Sequence, residues 1–401
     1  MKATLSCTDL KENLLANQGA VSTKGIVEAF GKIKIVFCKD QKAKLILQTS
    51  NGDISEYGNI TLSDIDNWEQ DTYEILLPAE KFIKLVQTFD RKNITFEIGE
   101  NTVLVKAGKA IADFTRESEE LSWLDSFELD TQNIRGSKEW IDITIDWVEI
   151  LNKVAFAQND ADEESKGMSL TGVQIDISPV DGKRAKLQIR ATNRSSVAHI
   201  QGLIEAESPV DKEIHIYLKK EVVSELLARN TTTISFEKDG TQILAAGKAS
   251  TFLHWAAGSH KFPDLDRPVR SAKEDEGIEI TFNRETLVKT LARATLLVDP
   301  MGEFRYVTMT ITPEGQKEKI INLKGDGNNV KFKEDTDVME IKGLDGKREI
   351  IFDPDDVNEY VKVSNKSQIT LKIVENFMVV LTEDETILPE ESYVYLVALT
   401  G

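Results

Sequence analysis

An α+β fold built three times over is what this sequence predicts, and three observations predict it. Residues 94 to 101 read ITFEIGEN, 234 to 241 read ISFEKDGT and 369 to 376 read ITLKIVEN. These starts lie 140 and 135 residues apart in a chain of 401, a period of about a third of its length. Each copy is preceded by a helical stripe and runs into a second alternating strand, and each third also opens with an earlier helix pattern. At roughly 150 residues per domain the length allows two or three domains, and the repeat selects three.

The elements follow in order. TDLKENLLANQG supplies the opening helix of the first third. LLPAEKFIKLVQTF then sets Phe82, Leu85, Val86 and Phe89 at i, i+3, i+4 and i+7 on one helical face. NITFEIGENTVLVKAGKAIADF alternates as two strands, broken around Gly99 to Asn101. The second third opens with DWVEILNKVAFAQ, whose stripe is Trp147, Ile150, Leu151 and Val154. It continues through YLKKEVVSELLARN into its strand pair, and shares AGKA (246–249) with the first third (107–110). The last third opens with NRETLVKTLARATLL; before its second helix Asp353 suits the N-cap and Pro354 the first helical position. Residues 312–350, with Gly-Asp and Gly-Asn turn signals, extend its hairpins. Charged, apolar-poor stretches at 131–139 and 267–277 read as connections, so domains are expected at about 1–136, 137–272 and 273–401. Each is two helices on a strand-rich layer.

Hydrophobic residues at 40% and charged residues at 29% describe an ordinary globular chain rather than a disordered or fibrous one. No apolar run reaches membrane-spanning or signal-peptide length, which suggests a cytoplasmic protein. Cys7 and Cys38 have neither metal-ligand nor disulfide-scaffold spacing and read as reduced thiols. A formal charge of −19 disfavours nucleic acid on average. Screening over about 8 Å nevertheless lets a local basic lining act apart from an acidic exterior. Lys81, Lys84, Lys153, Lys219, Lys220, Arg284, Lys289 and Arg293 lie on helix polar faces. Both an ordinary solvated surface and a basic lining fit them.

Catalytic chemistry finds little support. His199, His215, His254 and His260 lack HExxH spacing or a triad pattern and read as solvated or locally bonded. GDGNN (325–329) is a turn without P-loop order. The acidic NDADEES, with Asp160, Asp162 and Glu163, could offer paired carboxylates, yet reads as an exposed loop in a chain this acidic. The residues propose no reaction, cofactor or metal, so a binding or scaffold role is expected rather than an enzyme.

LPAEKFIKLV followed by ITFEIGENTVLVKAGKAIADF resembles the first domain of the bacterial sliding clamp, the beta subunit of the replicative DNA polymerase III. GMSLTGVQI, IRATNRSSVAHI and HKFPDLDRPV follow in that family's order, then LARATLL through FRYVTMTI, and a closing strand YVYLVALTG. The resemblance spans nearly the whole chain. It implies three clamp domains, each two helices on antiparallel sheets. By the same resemblance two chains would join head to tail as a homodimeric ring around double-stranded DNA, sequence-independent in its contacts, and tether a replicative polymerase and clamp loader through short linear motifs. Carried over, DNA contact falls to Lys24, Lys219, Lys220, Lys153 and Arg293. The subunit interface falls to Lys109 and Phe114 on one side and Leu296 and Leu297 on the other, internal core being the alternative for the two leucines. The partner-peptide groove falls to Leu170, Thr192, Val197, Pro263, Arg267, Leu396, Ala398 and Thr400. Two groove segments depart from the family. TNRSSV stands where clamps commonly have Thr-Asp-Gly-His-Arg-Leu, and the chain ends ALTG rather than Met-Pro-Met-Arg-like, which suggests a phage, plasmid or divergent bacterial version. The alternative is a clamp-fold scaffold that does not encircle DNA.

Overall fold

The computed structural model describes all residues except 23–27, 40–41, 53, 117–134, 137–138, 159–169, 248–250, 257–260, 298–305, 313–319, 327–330, 383–387 and 400–401. The order of elements repeats three times. The first third runs β1 Lys2–Ser6, α1 Cys7–Ala16, β2 Lys32–Cys38, β3 Lys44–Ser50, β4 Ile54–Thr61, β5 Asp64–Asp66, β6 Thr72–Pro78, α2 Ala79–Thr88, β7 Asn93–Ile98, β8 Thr102–Ala107 and β9 Ala110–Thr115. The second runs β10 Trp140–Thr144, α3 Trp147–Ala155, β11 Gly172–Asp181, β12 Arg184–Thr192, β13 Ser196–Glu205, β14 Ile214–Lys219, α4 Lys220–Ala228, β15 Thr233–Glu237, β16 Gln242–Ala246 and β17 Thr251–Ala256. After α5 Asp266–Glu274 the third runs β18 Ile278–Asn283, α6 Arg284–Leu297, β19 Val307–Ile311, β20 Ile320–Asp326, β21 Lys331–Asp337, β22 Glu340–Lys342, β23 Arg348–Phe352, α7 Pro354–Val363, β24 Gln368–Val374, β25 Phe377–Thr382 and β26 Ser392–Ala398.

Contacts gather the chain into two compact units. One holds residues 1–148, 206–209 and 221–258; the other holds 149–205, 210–220 and 259–401. The first contains a five-stranded sheet, β5-β1-β7-β8-β9, and an eight-stranded one, β10-β15-β16-β17-β4-β3-β2-β6. The second contains a nine-stranded sheet, β14-β11-β12-β13-β26-β25-β24-β18-β22, and a four-stranded one, β21-β20-β19-β23. All pairings among the described residues are antiparallel. The two long sheets each fuse strands of successive thirds, through β17 on β4 and β26 on β13.

Helix stripes and strand alternation build the cores as their periods require. In the first unit Phe82 and Val86 of α2 are fully buried, and Phe96 of β7 packs its ring 5.4 Å from Phe37 and 6.1 Å from Phe82. Trp147 lies 5.7 Å from Phe236 while its indole N–H donates to the Ile143 carbonyl at 3.0 Å, which satisfies the polar edge of a buried ring. In the second unit Tyr360 stacks on both Tyr393 and Tyr395, at 5.9 and 5.4 Å. The Tyr395 hydroxyl donates to the Asp356 carbonyl at 2.6 Å. The Asp353 carboxylate caps α7 by accepting from the Asp355 N–H at 3.0 Å, with Pro354 in the first turn.

One expectation is corrected. Residues 267–277, read as a connection, are mostly the helix α5. Two buried side chains three apart, Val269 and Ala272, are all its inner face needs, and the Asp264 carboxylate accepts from the Asp266 N–H at 3.0 Å in the turn that leads into it. A domain boundary at 272–273 would fall inside this helix.

Where β17 joins β4, an ion pair is sealed in. Arg229, just past α4, lies 2.6 Å from the Glu56 carboxylate on β4, with both side chains wholly buried. The Ala20 N–H donates to the other Glu56 oxygen at 3.1 Å. Burial pushes the Glu56 carboxyl upward against the pull of Arg229. Removing one partner strands the other in a dry site, whereas removing both does not. Arg229→Met is therefore expected to cost about 3–5 kcal/mol in a denaturation series, and Glu56→Gln combined with it to recover most of that loss. Additive costs would contradict a direct pair.

Candidate groove and open sheet edges

Of the groove positions carried over from the sequence, Thr192, Val197, Leu396 and Ala398 share one face of the nine-stranded sheet in the second unit, and Arg267 lies on α5. Strand alternation turns Ala198 and Ile200 of β13 into the core and leaves Val197 and His199 on the opposite face. Val197 sits opposite Thr192 on one side and Leu396 on the other. Helix α5 covers this face. Leu265, Val269 and Ala272 pack with Val374, Val379, Val394 and Leu396, and Val197, Phe262 and Phe377 lie half-buried at the margin. Leu170, Thr192 and Leu396 are buried, Pro263 and Ala398 half-buried and Arg267 exposed. Thr400 lies outside the described residues. Phe262, 6.1 Å from Tyr217, was missed from the sequence, although it directly precedes Pro263.

The divergent TNRSSV segment is a self-contained turn. The Asn193 side-chain oxygen accepts from the N–H groups of Ser195 and Ser196, at 3.1 and 2.7 Å, and from both serine hydroxyls. Its amide donates to Asp356 at 3.2 Å, and the Thr192 hydroxyl donates to the Ser196 carbonyl at 2.7 Å. Arg194 takes φ 84°, a left-handed conformation that glycine adopts without cost and arginine does not. The polar side chains of this turn hold one another.

Beneath α5 the polar members of the face form one network. Arg190 pairs with Asp176 and, at 3.1 Å, with Asp266 in the first turn of α5, which ties the helix to the sheet. Asp176 also accepts from Gln174 at 2.8 Å and faces the His215 ring at 2.7 Å. His215 and His254, the latter 3.1 Å from Gln242, are locally bonded as expected. His199 differs: it is buried, and neither ring nitrogen has a hydrogen-bond partner among the described residues. Burial, with the nearby charges of Arg190, Lys273 and Lys186, pushes its pKa down to about 3. His260 and the acidic cluster with Asp160, Asp162 and Glu163 lie outside the described residues.

The DNA-contact candidates divide. Lys219 closes β14 and Lys220 opens α4, both half-buried, with the Lys220 N–H donating to the Thr171 carbonyl at 2.9 Å. Lys153 holds the buried Glu391 at 2.8 Å. Arg293 forms a two-point pair with Glu334 of β21, its Nε at 2.8 Å, and that hydrogen bond raises the arginine and lowers the carboxyl. Arg284, from the same basic set, caps α7 by donating to the carbonyls of Val361 and Lys362, both at 2.9 Å. Phosphate would have to displace these partners. Lys24 lies outside the described residues.

Two sheet edges stand out. Among the described residues the last strand of the second third pairs with β4 and that of the third with β13, yet β9 and β21 each end a sheet. Ile111 on β9 is 63% exposed and Leu296, at the end of α6, is 81% exposed. Leu297 is 36% exposed, so internal core does not account for either leucine. Lys109 is exposed in the turn before β9, while Phe114 faces inward, its ring 6.1 Å from Phe82. Ile111 was missed; three residues from Phe114, it must point to the opposite face of the strand.

Residues 1–134 match the family described as DNA polymerase III beta subunit, N-terminal domain. Solved structures match over the full length. The beta subunit from DNA polymerase of Streptococcus pyogenes is 20% identical at a TM-score of 0.78, with 100% of both chains covered. The DNA polymerase sliding clamp from Bacillus subtilis is 20% identical at 0.76, covering 100% of this chain and 99% of that one. The DNA polymerase III beta subunit from Thermotoga maritima is 16% identical at 0.78, with the same coverage. This is the sliding-clamp fold. No curated protein matches the sequence. The resemblance thus holds for the fold along the whole chain.

His199 gives the clamp fold a pH test. The folded ring stays neutral down to about pH 3, whereas an unfolded histidine takes a proton near 6.5. Between those values the unfolded state binds more protons, so stability falls with falling pH by about 1.4 kcal/mol per unit. His199→Leu is expected to flatten urea-denaturation stability between pH 6.5 and 4.5 by most of that slope. An unchanged slope would mean that the ring is protonated in the fold.

Proposed function

We propose that the chain is a DNA sliding clamp, a processivity factor that works as a ring of two copies closed around duplex DNA. The observation that carries this reading is the threefold order of elements with two internal strand joints, and two sheet ends, β9 and β21, whose counterparts in the other repeats are paired. Two copies joined β9 to β21 satisfy both edges at once and close a cycle of six repeats. Leu296 and Leu297 of one subunit would then cover the inward side of the partner's β9 near Phe114. The three-domain division expected at about 1–136, 137–272 and 273–401 belongs to this proposal, with its second boundary moved out of α5.

DNA contact in this reading is to phosphate and independent of sequence, through Lys24, Lys219 and Lys220. Lys153 and Arg293 each hold a carboxylate that phosphate would displace. A ring retained by topology needs only weak contacts, and the polymerase and clamp loader would be tethered by short peptides at the α5 face. Chemistry is left to those partners. No helix among the described residues is long and apolar enough to cross a membrane, and the proposed workplace is the cytoplasm. The occupied state of Lys153 and Arg293, with a formal charge of −19, favours the second reading, a clamp-fold scaffold without DNA.

Light scattering across dilution to nanomolar protein is expected to hold at about twice the chain mass of 44.9 kDa. Lys219→Glu with Lys220→Glu should leave that mass unchanged and reduce polymerase processivity by at least about tenfold at 0.15 M salt. Unchanged processivity in the double variant, on a dimeric protein, would favour the scaffold.

A further inference from the structure

The strand registers of the two internal joints predict the register of a third, between subunits. Leu77, Leu218 and Phe352 each lie two residues before a helix and face Ile33, Val173 and Val307. Two residues on, Ile35, Ile175 and Met309 face Leu47, Ile189 and Leu323. These in turn face Gly58, Ile200 and Glu334, which are therefore equivalent positions of β4, β13 and β21. On the other side, Phe96 and Phe236 lead through Val105 and Ile243 to Ala112 and Trp255. Ile98 and Ile373 lead through Val103 and Met378 to Phe114 and Val397. Ala112, Trp255 and Tyr395 are thus equivalent in β9, β17 and β26.

The internal joints differ by two residues. Trp255 faces Ile54, four before Gly58, whereas Tyr395 faces Ala198, two before Ile200. Transferred to β9 and β21, the first register puts Lys109 opposite Lys333, like charges face to face. The second puts Lys109 opposite Asp335, Ile111 opposite Lys333 and Asp113 opposite Lys331. Ile111, Asp113, Lys331, Lys333 and Asp335 are exposed on the side of their sheets away from the core, and Lys109 is exposed in the turn that leads into β9. Opposite charges across a strand pair stabilise it and like charges directly opposite destabilise it, so the charges select the second register.

We propose that β9 of one subunit pairs antiparallel with β21 of a second copy in the register that sets Lys109 against Asp335 of the partner subunit and Asp113 against Lys331 of the partner subunit. These two ion pairs flank Ile111, whose apolar side chain lies along the aliphatic stem of Lys333 of the partner subunit. The inference rests on the ring reading. It adds to it which residues meet and why a slip of two is rejected.

Charge exchange tests it in the full chain by sedimentation equilibrium. Lys109→Glu and Asp335→Lys are each expected to weaken the dimer by at least about tenfold, because every closed ring carries the joint twice, and together to return it to within about threefold of the parent. In the rejected register Lys109→Glu would tighten the dimer, and that result overturns the proposal. Oxidative crosslinking reads the register without relying on affinity. Ile111→Cys combined with Lys333→Cys is expected to give a covalent dimer, and Ile111→Cys with Lys331→Cys far less. The reverse preference overturns the register while leaving the ring intact. A parent chain that is monomeric at every concentration overturns the ring reading and this register with it.

Discussion

An edge strand carries a row of backbone N–H and C=O groups that only water or another strand can satisfy, and this chain answers that constraint the same way twice. The last strand of the second third pairs with β4, and the last strand of the third with β13. Each pairing fuses two repeats into one continuous sheet. Everything else is arranged around those joints. The Arg229–Glu56 pair is sealed at the first, and the Tyr360, Tyr393 and Tyr395 stack backs β26 at the second. What the joints leave over is β9 of the first third and β21 of the last, whose counterparts are paired, and the proposed ring follows from that remainder.

Much of this was legible in the sequence. The three ITFEI-like copies and the stripes at Phe82 and Trp147 mark helices and strands because their information is local, at periods of 3.6 and 2. The joints were not legible, since nothing near Tyr395 says that it will face Ala198. Nor were the ion pairs: Glu391 lies 238 residues from Lys153, and Glu334 lies 41 from Arg293. A basic residue on a helix face therefore reads as available until its distant carboxylate is located. Helix α5 escaped because Val269 and Ala272 alone are too short a stripe to stand out among charges.

The α5 face shows how a familiar fold can carry altered chemistry. The turn at Asn193 keeps a tight hairpin without the glycine that its backbone favours, holding Arg194 left-handed with a net of side-chain hydrogen bonds. Below it, Arg190 anchors the helix through Asp266, while His199 is held neutral in a dry position. The proposed peptide groove rests on resemblance. Its departures from the family now have a physical description, in which side chains that could meet a partner instead hold the turn together.

A protein that holds DNA by encirclement differs from one that holds it by attraction in a single respect: whether release needs a free DNA end. The most direct measurement is retention on nicked circular duplex DNA after loading, followed by gel filtration at 0.5 M salt, with and without linearisation by one cut. The clamp account predicts that the protein stays with the circle at a salt where phosphate contacts are largely screened and leaves once the DNA is cut. Equal loss from circular and linear DNA would contradict encirclement.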